Sequence, residues 1–65
     1  SQTFEEMSDK KWVLATMSNV TMGLGKSEKS QRFEKRFLDF QGAGHLAQWE
    51  IDTFYAGKAA IQRFI

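Results

Sequence analysis

Few side chains in this chain can do chemistry, and their spacing limits what they can do. His45 is the only histidine and, carboxylates apart, the only candidate base near neutral pH. Hydrolysis or group transfer needs a nucleophile beside a base, two carboxylates facing one cleft, or a metal. One imidazole cannot build a zinc site, and the absence of cysteine removes disulfides and thiolate sites together. Glu50 and Asp52 stand two apart, so on a helix they point to different faces and form no catalytic dyad. His45 follows Gly44 at an expected helix start, where its side chain either caps the helix or faces water. Gly25-Lys26-Ser27 has the ending of a phosphate-binding loop. That motif needs a glycine five positions before Gly25, where Val20 stands, and a 65-residue chain is too short for a nucleotide-binding α/β domain. The expectation is a protein that is not an enzyme, with no catalytic residues, metal, cofactor or small-molecule substrate.

Two sets of residues remain that could bind a macromolecule. Charge is unevenly spread along the chain. Residues 1–9 carry Glu5, Glu6 and Asp9, residues 10–36 carry seven basic and two acidic side chains, and residues 37–56 carry Asp39, Glu50 and Asp52. The densest basic set is Lys26, Lys29, Arg32, Lys35 and Arg36, which on a helix can grip phosphates without reading sequence. Glu28 and Glu34 dilute that set, and a solvated helix face is the favoured reading of it. A helix-turn-helix around Gly42-Ala43-Gly44 fits less well. Its recognition helix would offer His45, Gln48 and Glu50 with Trp49 buried, a poor reader of base edges. The second set is aromatic. Nine aromatics in so short a chain exceed what a small core needs, and aromatics concentrate in binding hot spots. Trp12, Tyr55, Phe64 and Ile65 are the expected partner-binding residues; the alternative is that all four are core.

The elements that must position these residues follow from glycine placement and periodicity. No proline interrupts the chain, and glycines cluster at Gly23 with Gly25 and Gly42 with Gly44, giving three segments. In the first, over residues 8–22, Val13, Met17, Val20 and Leu24 lie at spacings of four, three and four, one helical face widened by Trp12 and Ala15. Ser8 would cap it. A β-hairpin in residues 11–24 is the main structural alternative, because Val13, Ala15 and Met17 alternate, as do Val20, Met22 and Leu24. In the second, over residues 27–40, Phe33, Phe37 and Phe40 form one stripe and Lys29, Arg32 and Arg36 another, with Ser27 or Ser30 as cap. The third, over residues 45–64, carries Leu46, Trp49, Phe54, Ile61 and Phe64 on one side. Gly57 there marks either a close approach by another helix or a break. The expected fold is all-α, a small three-helix bundle forming a single domain over residues 1–65, with Phe33, Phe37, Phe40, Leu46, Trp49 and Phe54 at its centre.

A chain of this length stabilises itself by only a few kcal/mol, on the order of 3–5. Without disulfide or metal it is expected to gain support from a second copy, most simply a homodimer. Ala56, Gly57 and Ala60 offer a small-residue patch for such a copy, and Phe64 and Ile65 lie where a monomer has few neighbours; the alternative is a final turn folded back onto Trp12. The acidic N-terminus lacks the apolar stretch of a signal peptide, no run is long enough to span a membrane, and cysteine is absent, so a cytoplasmic setting is expected. Asn19-Val20-Thr21 matches the glycosylation triplet by chance on that view.

The stretch from His45-Leu46-Ala47 through Tyr55 to Arg63-Phe64-Ile65 is similar, with gaps, to the C-terminal half of the Hha/YmoA family of helical nucleoid-associated modulators. The acidic residue that family places before its histidine is Gly44 here, its later proline and tryptophan are missing, and no functional residues carry over. The expected function is a small protein-binding or regulatory module acting through an aromatic-rich helical surface. The alternative is a non-specific nucleic-acid-binding or nucleoid-associated protein using the basic helix.

Overall fold

The computed structural model describes the backbone of residues 4–65 and the side chains of residues 9–65. Three helices follow one another, α1 (Phe4–Gly23), α2 (Ser27–Gly42) and α3 (Gln48–Gln62), and α1 packs against both of the others. This is the expected three-helix bundle. Residues 11–24 are helix up to Gly23, not hairpin: the alternation that suggested strands is overridden by a continuous 20-residue α1.

Glycine ends the first two helices in the same way. Gly25 and Gly44 both sit at φ 78°, the left-handed region that a side chain disfavours. At the first, Gly25 N–H donates to the Met22 carbonyl (2.9 Å) and Lys26 N–H to that of Thr21 (2.8 Å). At the second, Gly44 N–H donates to Gln41 (3.0 Å) and His45 N–H to Phe40 (2.8 Å). Both are Schellman motifs, which satisfy carbonyls that a helix end would otherwise orphan.

The expected serine caps are not used. α1 begins at Phe4, so Ser8 lies within it; the Ser8 side chain falls outside the described ones. Lys26 occupies the N-cap of α2 without a side-chain bond, Ser27 is the first helical residue, and Ser30 is buried in the seam with α1. There the Ser18 hydroxyl donates to the Ser30 carbonyl (2.9 Å) and the Ser30 hydroxyl to the Ser18 carbonyl (2.8 Å). Small side chains at the crossing let the two backbones come close enough for these reciprocal bonds.

Phe37 is fully buried at the centre, with Ala15, Leu46, Ile51 and Phe54 around it. The Phe37 and Phe54 rings lie 4.8 Å apart and the Trp12 ring 6.0 Å from Phe37. Phe40 packs on this core half-buried, and Phe33 is half-buried outside it. Trp49, expected at the centre, is 65% exposed. Glu50, Ile51 and Phe54 face inward instead, which turns Trp49 to the far side of α3. α3 also starts at Gln48 rather than His45, since residues 45–47 run into the core through Leu46 before the helix begins. Helix α3 passes through Gly57 without a break. A Cβ there would lie 3.5 Å from Asn19 Nδ2 of α1, so Gly57 marks a helix contact, not a break.

Candidate functional site

The inward face of α1 is polar. Lys11, Ala15, Ser18 and Thr21, spaced four, three and three, are all buried. Lys11 Nζ lies 2.6 Å from Glu50 Oε2, with the two side chains 4% and 9% exposed, and it also donates to the His45 carbonyl at 2.9 Å. Glu50 Oε1 accepts the Ala47 N–H at 3.0 Å, which closes the start of α3 as the glutamate does in a capping box. Burial works to raise the Glu50 pKa, but the Ala47 N–H and Lys11 outweigh it and hold the carboxyl below its usual 4.5. Sequence reasoning missed this pair. Its signal was a run of small and polar residues on one α1 face, beside the apolar stripe that the periodicity picked out.

That stripe, Val13, Met17, Val20 and Leu24, is on the outside. Its members are 59%, 39%, 48% and 66% exposed, and it lies roughly 130° round the helix from the buried face. The expected apolar face of α1 is therefore a real face, but solvent covers it. Against Met17, Val20 and Leu24, Phe33 of α2 completes an apolar floor. Lys26, Lys29, Arg32 and Arg36 line the same groove, whose volume is about 480 Å³. None of these four cations is ion-paired to another described residue. The structure thus brings four of the five basic residues singled out from sequence into one place, together with apolar side chains. Lys35 is exposed and does not line the groove.

The four expected partner-binding residues are not brought together. Trp12 is half-buried, packs on the core and borders a shallow cleft with Asp9, Val13 and Thr16. Ile65 lies with Met22 and Gly25 at the opposite end of α1, about 15 Å further along, so the last residues do not fold back onto Trp12. Phe64 is 91% exposed. Tyr55 is tied to α2: its hydroxyl donates to Glu34 (3.4 Å), which Lys58 also pairs at 2.6 Å, with Lys58 Nζ 5.7 Å from the Tyr55 ring centre. Burial and the neighbouring Glu34 charge raise the Tyr55 pKa above 10.0, with Lys58 opposing. Glu50 is buried while Asp52 is exposed and bonded to Gln48 (3.0 Å), so the two carboxylates face apart. His45 is half-buried. Among the described residues there is no group of three or more His, Asp or Glu able to hold a metal ion, and no helix long and apolar enough to cross a membrane.

No protein-family model, curated protein or solved structure matches the chain.

Proposed function

We propose that this chain is a non-catalytic protein-binding module, and that its partner docks along the outer face of α1 in the groove shared with α2. One observation carries this reading: four large apolar side chains on consecutive turns of α1 face water, and three of them, Met17, Val20 and Leu24, share a groove with four cations not paired within the described residues. Scattered exposed apolar residues are ordinary, but a continuous stripe bordered by charge is the composition of a docking site. A helix whose apolar side chains fill the floor and whose acidic side chains meet Lys26, Lys29, Arg32 and Arg36 matches it in shape and sign.

The same four cations support binding to nucleic acid as a second reading. The floor beneath them favours protein, because phosphates gain nothing from Met17, Val20, Leu24 and Phe33. The two readings part in one experiment. A protein partner retained by the wild type in about 0.5 M salt and lost by Met17→Glu/Val20→Glu supports docking on the apolar floor. Retardation of DNA or RNA at about 50 mM salt, abolished by Lys29→Glu/Arg32→Glu/Arg36→Glu and untouched by Met17→Glu/Val20→Glu, overturns it in favour of the second reading.

A further inference from the structure

We infer that the occupant of the α1 groove is a second copy of this chain, its α1 lying antiparallel along the first; this rests on the docking reading above. The spacing of Val13, Met17, Val20 and Leu24 is that of alternating d and a positions, the seam along which two helices interlock. All four are exposed, and the bundle's own α2 and α3 leave that seam open. The charges then choose the direction. A parallel pair would set Glu5, Glu6 and Asp9 of one copy beside the same residues of the other, and Lys26 beside Lys26.

An antiparallel pair centred between Ser18 and Asn19 sets Val13 against Leu24 and Met17 against Val20. It also carries the first two turns of one α1, which hold Glu5, Glu6 and Asp9, past the Gly25 turn of the other, where Lys26 and Lys29 stand. The two-fold operation makes each contact twice, so one complementary match stabilises both ends of the pair. Phe33 borders the same groove and would flank the new helix. The result is a four-helix layer of two α1–α2 hairpins with α3 on the outside.

The absence of cysteine from the sequence makes the direction measurable. Val13→Cys and Leu24→Cys each alter an exposed position, and circular dichroism checks that both retain the helical spectrum. Under mild oxidation or with a short thiol crosslinker, an equimolar mixture is expected to give the mixed dimer, while each variant alone gives little. In the antiparallel register identical positions are separated by about 11 residues of helix, roughly 16 Å. Crosslinking of each variant with itself, or no preference for the mixture, overturns the inference.

Light scattering at about 100 µM is expected to give twice the chain mass for the wild type and the single mass for Val20→Glu. Lys26→Glu/Lys29→Glu should weaken the dimer about tenfold, and adding Glu5→Lys/Glu6→Lys should restore it. A wild-type monomer at that concentration overturns the second copy as occupant. It leaves the docking reading to its own test, in which a different protein is retained through Met17 and Val20.

Discussion

Replacing Lys11 by methionine keeps most of the unbranched side chain and removes its charge from beside Glu50. Glu50 Oε2 and the His45 carbonyl then lose the ammonium at 2.6 and 2.9 Å, while the Ala47 N–H still holds Oε1. Breaking a buried ion pair from one side typically costs about 3–5 kcal/mol. Here the loss has a ceiling, because the carboxyl can escape by taking up a proton. From an ordinary pKa of 4.5 that step costs about 3.4 kcal/mol at pH 7 and about 0.7 kcal/mol at pH 5. Lys11→Met is therefore expected to lose about 3 kcal/mol at pH 7 but only about 1 kcal/mol at pH 5. Against a total stability on the order of 3–5 kcal/mol, the variant is largely unfolded in mild urea at pH 7 and recovers its helical signal on acidification. Lys11→Met/Glu50→Leu, which replaces both charges by packing, should return to near wild-type stability at both pH values. Urea unfolding followed by circular dichroism at the two pH values measures all three proteins. A Lys11→Met loss below about 0.5 kcal/mol, or one equal at both pH values, would refute the reasoning that the pair is desolvated.

Further outcomes follow from the same contacts. The depressed pKa of Glu50 contributes stability that is present above its ordinary 4.5 and lost as pH falls through the lower folded value; Glu50→Gln should flatten the acid limb of a stability profile in that window. Gly57→Ala should stabilise α3 by up to about 1 kcal/mol in thermal melts, because the new Cβ meets Asn19 only at ordinary contact distance. Ser18→Ala should cost about 1 kcal/mol through its lost bond to Ser30, whereas Ser18→Leu, at a fully buried crossing, should cost about 1–3 kcal/mol or more by forcing α1 and α2 apart. Met17→Ser should change the stability of the monomer by less than about 0.5 kcal/mol when measured at dilution, since its side chain faces solvent.

The parts of the fold that the sequence made legible are those where local and global preferences agree. The paired glycines marked both turns, because a left-handed residue is needed after each helix and Gly25 and Gly44 supply it. The phenylalanine stripe located Phe37 and Phe40, since α2 buries the side its periodicity shows. Trp49 failed because periodicity gives a helix face without its rotation. Glu50 takes the inward position through Lys11, a contact 39 residues away in sequence that no window can see. The candidate site was visible in halves. Four basic residues and the apolar stripe were both readable, but only the packing of α1 on α2 places those four with Met17, Val20 and Leu24 in one groove.

The two faces of α1 bear on what the helix is for. Buried apolar area stabilises at about 25 cal/mol per Å², so a chain selected only for monomer stability would turn Val13, Met17, Val20 and Leu24 inward. This chain instead buries Lys11, Ser18 and Thr21 there and satisfies each by a specific bond: to Glu50, to Ser30, and to the Met17 carbonyl at 2.7 Å. The Thr21 bond stays within α1, but those of Lys11 and Ser18 reach α3 and α2 and are directional, so these two fix the rotation of α1 in a way that apolar contacts alone do not. Fixing that rotation holds the apolar stripe outward as a continuous seam. A helix free to roll would bury the stripe against Phe37 and lose the groove. On this argument, Lys11→Met/Glu50→Leu should keep the stability of the protein while loosening the rotation of α1. Its Val13→Cys and Leu24→Cys derivatives should crosslink less efficiently in mixture than the same substitutions in the parent chain. Equal crosslinking in both backgrounds would show that the polar face stabilises α1 without orienting it.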